Sequence, residues 1–274
     1  MKPAPFAYVA AASAADARRH LGAGGVSAKI LAGGQSLGPM LNLRLARPSH
    51  LVDVTRAGDL RTVTDEGDAL LYGAAIRHAE FEDGDVADAT PGWLAAIARG
   101  IAYRAVRNRG TIGGSLAHAD PAADWVVTLT ALGAEVVIAG ENAARTLPMT
   151  GFVQGPLATA LEPGEVITGI RIAKRGSSAR WGYWKFTQKA GEFAKASAAV
   201  LIDLERGETR IVVGAIERAP IVLDDPEAVL ADPDIALPLL ERLTAPNPPA
   251  TLALHAAAVR RACLAAAKDE DMPS

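Results

Sequence analysis

The sequence predicts an α+β protein in which a larger two-part unit is followed by a smaller α+β unit. Three observations lead there. Short apolar runs bounded by turn residues recur at irregular spacing, without the regular strand–helix alternation of a doubly wound sheet. Two Gly-Gly loops, at Gly33-Gly34 and Gly113-Gly114, interrupt the first half. A polar stretch at residues 174–179 then precedes a last third that reads as antiparallel strands followed by helices.

Each element has a local reason. Ser13 is placed to cap a helix from 14 to about 21, which Gly22, Gly24 and Gly25 would break. Lys29-Ile30-Leu31 is a short strand leading into Ala32-Gly33-Gly34-Gln35-Ser36. After Pro39 a helical turn or two passes through Met40, Leu43 and Leu45, and 51–54 is the next strand. From Leu60 the pattern turns to strands with tight turns, 61–64 and 69–73, around Glu66-Gly67-Asp68. A helix is expected from 93 to 103 with Pro91 at its start. A second glycine loop covers 111–116, a helix follows Pro121 over 124–132, and strands recur at 135–139 and 166–172. Beyond the linker come strands at 184–187, 196–203 and 209–214, then helices at 225–230 and from 250 to about 268. The expected division is 1–174, itself split near 56, and 175–274.

Composition narrows the function classes. A chain of 274 residues with net charge −3 has no clustered basic face of the kind nucleic acid demands. The basic residues between Arg99 and Arg109 alternate with apolar ones and read as a helix surface. The single cysteine, Cys263, cannot form an internal disulfide, a zinc site or an iron–sulfur cluster within this chain. It shares a helix face with Val259 and reads as core. Pro3 and Pro5 stand where a signal peptide would have its apolar run, and no stretch approaches the ~20 apolar residues of a membrane span. A soluble, cytoplasmic protein is the expectation, with no metal site.

The glycine loops carry the chemistry. Without a Cβ, the backbone at Gly33 and Gly34 can bring its N–H groups close to a diphosphate, with Ser36 as a hydroxyl donor and the next helical turn aiming its positive end at the anion. Thr111-Ile112-Gly113-Gly114-Ser115 repeats that composition. Neither loop has the spacing of a dinucleotide-binding Rossmann turn or the Lys of a P-loop. Either alone is more often a turn; together they suit the two phosphates of a dinucleotide.

Leu31-Ala32-Gly33-Gly34-Gln35-Ser36-Leu37, with Pro39 and Arg44, resembles the first flavin motif of the medium subunits of molybdenum hydroxylases. The run from Asn108 through Thr111-Ile112-Gly113-Gly114-Ser115 and Ala117-His118-Ala119-Asp120-Pro121 to Asp124 resembles their second motif over its whole length. The likeness continues through Glu162-Pro163-Gly164-Glu165-Val166-Ile167 to Gly214-Ala215 and Pro220. The family includes the medium chain of carbon monoxide dehydrogenase and the flavin domain of xanthine dehydrogenase. Trp125 departs from it, standing where a leucine–proline pair is usual.

This resemblance implies an FAD-binding domain of the vanillyl-alcohol-oxidase (PCMH) type and electron relay. It places FAD against Ala32 through Ser36 and Thr111 through Ser115, with Lys29, Ile30 and Leu31 on the adenosine side. Ile101, Ala102, Ala117 and Asp120 would lie near the cofactor. Asp124 would accept from a ribose or ribityl hydroxyl, a role compatible with capping its helix. Ile167 would touch the flavin, and Lys185 would lie near its pyrimidine end, where a cation favours electron acceptance. No residue is nominated as acid or base, His118 included. Trp181, Tyr183, Trp184 and Phe186 are expected to form an apolar cluster or a partner surface. Molybdopterin would sit on a large subunit and two [2Fe–2S] clusters on a small one, in a dimer of heterotrimers. The acceptor would be a quinone, NAD or oxygen. The competing readings are a self-contained flavin oxidase and a scaffold of the same fold without flavin.

Overall fold

The computed structural model describes residues 2–141, 143–244 and 248–267. The chain runs β1 (Ala7–Ala10), α1 (Ala14–Gly24), β2 (Ala28–Leu31), α2 (Leu37–Asn42), β3 (His50–Asp53), β4 (Val63–Asp65), β5 (Ala69–Gly73), α3 (His78–Glu82), α4 (Trp93–Gly100), α5 (Arg104–Arg107), α6 (Ile112–His118) and α7 (Asp124–Ala131). It continues through β6 (Glu135–Ala139), β7 (Ala144–Pro148), α8 (Met149–Phe152), β8 (Val153–Gly155), β9 (Ala158–Thr159) and β10 (Val166–Ala173). The remainder comprises β11 (Arg180–Phe186), β12 (Ala196–Asp203), β13 (Glu208–Gly214), β14 (Ile221–Val222), α9 (Pro226–Ala231), α10 (Ala236–Thr244) and α11 (Pro249–Ala267).

Three larger sheets and the two-stranded β8-β9 ribbon organise these elements. A small parallel sheet, β1-β3-β2, is joined by helical crossovers, as parallel pairing requires. A five-stranded antiparallel sheet, β4-β5-β10-β6-β7, carries α3 to α7. The third, β11-β12-β13-β14, is antiparallel throughout. Its central strand β12 is buried on both faces. Ala196, Ala198, Val200 and Ile202 point into one core with Val259, Ala262 and Cys263 of α11, while Ala199 and Leu201 join the main core. The α+β class and the pairing of Val259 with Cys263 hold as expected.

Helix α7 is the joint between the sheets. A Cβ added at Gly214 of β13 would lie 2.9 Å from the Val127 Cβ, so helix and strand meet in close contact. At the C-terminal end of α7, Arg175 donates to the Leu132 carbonyl at 2.8 Å and pairs with Asp203 at 3.0 Å and Glu208 at 2.9 Å. Stretch 174–179, expected to be a polar linker, thus includes a buried arginine, because its charge is matched and one of its nitrogens, Nη2, reaches a helix end.

Several boundaries differ from expectation. Helix α1, with Ser13 accepting from the Asp16 N–H, continues through Gly22, which packing tolerates. Helix α2 begins at Leu37 rather than after Pro39, leaving Leu43 and Leu45 exposed beyond its end. The expected helix over 93–103 stops at Gly100, since Ile101 is extended and Ala102 has φ +40°; α5 follows. The stretch 111–116 is no loop: Thr111 caps α6, its hydroxyl accepting from the Gly114 N–H at 3.0 Å. Asp124 does not cap α7, whose N-cap is Ala123. Strand β11 begins at Arg180, four residues before the expected start. Position 268, the expected end of the last helix, lies outside the described residues. Trp125 is fully buried and donates through Nε1 to His78 Nδ1 at 3.0 Å, so the departure from the family pattern fills core.

Candidate functional site: two glycine motifs and a buried ion pair

The fold brings the two glycine motifs into contact. A Cβ at Gly33 would stand 2.1 Å from the Arg109 carbonyl oxygen and 2.7 Å from the Gly110 Cα; one at Gly114 would lie 3.6 Å from the Ala32 Cβ. The sheet arrangement makes this possible: Ala32 to Ser36 follow the end of edge strand β2, and α6 begins where its backbone bonds to Ala74 and Ile76 after β5.

The motifs alike in composition differ in what they offer a ligand. In the second, the N–H groups are engaged: Ile112 with the Ile76 carbonyl, Gly113 with Ala74, Gly114 with the Thr111 hydroxyl and Ser115 with the Thr111 carbonyl. Gly113 is required by packing, since a Cβ there would be 2.5 Å from that of Ala74. In the first, the N–H groups of Gly33, Gly34, Gln35 and Ser36 donate to no described residue. Gly34 has φ +70°, and the Gln35 amide donates to the Gly33 carbonyl at 3.0 Å, turning that acceptor away. Four successive unpaired donors ahead of a short helix are suited to an anion. The Arg109 side chain forms no hydrogen bond or ion pair with a described residue, which leaves its cation free. Nearby, burial raises the Asp53 carboxyl, but hydrogen bonds from Thr55 and Tyr8 and the charge of Arg109 outweigh it and hold the carboxyl below its ordinary value.

A second cluster forms where β11 crosses α7. Lys185 Nζ donates to Asp124 Oδ1 at 2.7 Å and to the Gly100 carbonyl at 2.8 Å. The pair is nearly enclosed, with side chains 18% and 10% exposed. The lysine is therefore no isolated cation; its field on a neighbouring ligand is that of an ion pair and is correspondingly weaker. Ile101 and Ala102 are fixed through their carbonyls, which accept from Arg107 at 2.9 and 3.1 Å, and Arg107 pairs with Glu82.

The other expected residues are scattered in character. Lys29 is exposed on β2, with Ile30 and Leu31 half-buried. Ala117 is exposed on α6. Asp120 accepts from the Ala122 N–H at 2.9 Å, a turn ahead of α7. Ile167 fills the main core beside the irregularity at 167–169 of β10. Tyr183 packs its ring on the main apolar core, and its hydroxyl, which the expected apolar cluster or partner surface gave no role, donates to Asp124 at 2.6 Å. Period-two alternation along β11 carried that signal. Trp181 lies stacked on Trp93 at 5.4 Å, and Trp181, Tyr183 and Lys185 alternate with Trp184 and Phe186, which stack separately, Arg261 lying over Trp184.

Comparison with known proteins shows the family. Residues 4–174 match the family described as the FAD binding domain in molybdopterin dehydrogenase. The chain is 40% identical over 202 residues to the carbon monoxide dehydrogenase medium chain of Hydrogenophaga pseudoflava, covering 74% of this chain and 70% of that one. It is 36% identical to the 6-hydroxypseudooxynicotine dehydrogenase complex subunit alpha of Paenarthrobacter nicotinovorans, covering 85% and 80%. A solved carbon monoxide dehydrogenase from Hydrogenophaga pseudoflava superposes with a TM-score of 0.88 over 97% of this chain and 98% of that chain, at 34% identity. The fold is thus the PCMH type expected, and the four unpaired N–H groups of the first motif fit the diphosphate of FAD. The chain belongs to the family of FAD-binding medium subunits of molybdenum hydroxylases, as an oxidoreductase flavoprotein subunit.

Proposed function

We propose that this chain is the electron-transfer subunit of a heterotrimeric molybdenum hydroxylase. It would receive electrons from a small subunit with [2Fe–2S] clusters and pass them to an external acceptor such as a quinone, NAD or oxygen. A molybdopterin-binding large subunit would oxidise the substrate, in a cytoplasmic dimer of heterotrimers. The observation that carries the reading is the set of unpaired N–H groups at Gly33, Gly34, Gln35 and Ser36, pressed against the second motif.

FAD, when bound, supplies a carrier that accepts electrons singly and releases them in pairs. The chain's own residues bind and orient it. The 33–36 turn and the free Arg109 would hold the diphosphate, with the Ser115 hydroxyl from the facing helix. Lys29, Ile30 and Leu31 would flank the adenosine. Asp124, whose Oδ2 accepts from no described residue, would take a ribityl or ribose hydroxyl. Lys185, Ile101, Ala102 and Ile167 would border the ring system, and Ala117 and Asp120 would stand at its edge. Residues 1–174 would form the FAD-binding unit, with subdomains meeting near 56, and 175–274 a C-terminal domain that lends it Lys185.

The test is an absorbance spectrum of the purified chain, before and after incubation with FAD and desalting. Retained flavin bands, lost when Gly33 and Gly114 are both replaced by bulkier residues, are the expected result. A colourless protein, even when co-expressed with its partner subunits, would overturn the proposal and leave the scaffold reading.

A further inference from the structure

Two donors meet at one carboxylate. Tyr183 and Lys185 both donate to Asp124 Oδ1, at 2.6 and 2.7 Å, and both come from one face of β11. Lys185 is further tethered to the Gly100 carbonyl, so its ammonium cannot follow a rotating carboxylate without losing a bond. The other oxygen, Oδ2, accepts from no described residue. A carboxylate held by one donor can exchange its two oxygens by turning about its terminal bond. One whose Oδ1 is held by two converging donors presents Oδ2 in a single direction.

We infer that Tyr183 is a positioning residue for FAD: its phenol and the Lys185 ammonium together saturate Asp124 Oδ1, which commits Oδ2 to a hydroxyl of the cofactor. The inference rests on the FAD-binding reading above. Tyrosine is suited to the task. Burial, then the adjacent carboxylate, pushes its hydroxyl well above the ordinary phenol value, so it stays protonated and donates. Its ring packs against the main core, which fixes the direction of the hydroxyl. The same bond has an electrostatic consequence. By withdrawing charge from Asp124 it leaves more of the Lys185 field uncancelled at the ring system.

The experiment uses the full chain as Tyr183→Phe, Asp124→Asn and the double variant, with FAD as the probe. The dissociation constant and the midpoint potential of bound FAD are read, and circular dichroism checks the fold. Tyr183→Phe keeps the ring and is expected to raise the dissociation constant about tenfold, the low end for loss of one hydrogen bond to a charged group. Its midpoint potential moves to more negative values, because a less stabilised carboxylate cancels Lys185 more completely. In the Asp124→Asn background the same substitution changes neither quantity further, since its effect passes through that carboxylate. An unchanged affinity and potential in Tyr183→Phe, or effects that simply add in the double variant, would overturn the inference. Failure of the wild-type chain to bind FAD would instead overturn the reading beneath it.

Discussion

Gly33 and Arg109, 76 positions apart in the chain, are packed so closely that a single methyl group at Gly33 would fall 2.1 Å from the Arg109 carbonyl oxygen. The contact is backbone against backbone, so no rotamer change relieves it. It joins the turn with the free N–H groups to the segment leading into α6.

Gly33→Ala is therefore expected to separate the motifs, with a stability loss of about 3 kcal/mol or more and loss of FAD retention. Gly38→Ala is the contrast. Nothing lies within 4 Å of its added Cβ and the position is helical, so stability is unchanged or raised by up to ~1 kcal/mol. Urea melts of the two variants beside wild type decide the matter; equal effects would mean that the interloop contact is not tight in solution.

The Lys185–Asp124 pair invites a second prediction. Removing the ammonium by Lys185→Met leaves a largely enclosed carboxylate with only the Tyr183 donor, at a cost of roughly 2–4 kcal/mol. Adding Asp124→Asn removes the charge left behind, so the double variant should lose less than the sum of the single losses. Simple additivity in denaturant melts would argue that the two groups do not form an ion pair.

Arg175 is more deeply placed. Its side chain and that of Asp203 are 3% and 2% exposed, so Arg175→Met should cost about 3–5 kcal/mol by stranding the aspartate. Arg175→Met with Asp203→Asn recovers part of that loss. A single variant that melts with wild type would show that the β10–β11 connection does not depend on this pairing.

His78 makes stability depend on pH. Burial, with the charge of Arg107, pushes its imidazole down from 6.5 to about 3. The unfolded chain takes up this proton near 6.5 and the folded chain does not, so the contribution is full above 6.5 and drains away as pH falls towards 3. Between pH 6.5 and 5 the loss is about 2 kcal/mol at one proton's slope. The carboxyls held low by arginine, such as Glu82 by Arg107 and Glu165 by Arg145, act the same way below the ordinary value of 4.5. Unfolding at pH 7 and 5 should therefore show a smaller difference for His78→Gln than for wild type. Equal differences would place the pH sensitivity elsewhere.

A chain truncated after residue 174 lacks Tyr183 and Lys185 and leaves Asp124 without its two donors. It is expected to retain FAD more weakly than the full chain. Equal retention after desalting would show that the binding energy lies wholly in the glycine motifs.

Much was legible in the residues themselves, because it rests on local interactions. Ser13 as a helix cap, the strand at 196–203 with both faces apolar, the shared face of Val259 and Cys263 and the two Gly-Gly motifs follow from side-chain volume, period and backbone freedom over a few positions. The family resemblance was readable on the same terms, since it rests on motif residues in chain order. Tertiary structure alone decided the rest. It determined that one motif keeps its N–H groups free while its twin spends them on Ala74, Ile76 and Thr111. It brought a tyrosine and a lysine, 59 and 61 residues further along the chain, onto one oxygen of Asp124. The physical reason is common to both: hydrogen-bond satisfaction and charge pairing depend on distances that close only when the sheets pack, and no local pattern encodes them.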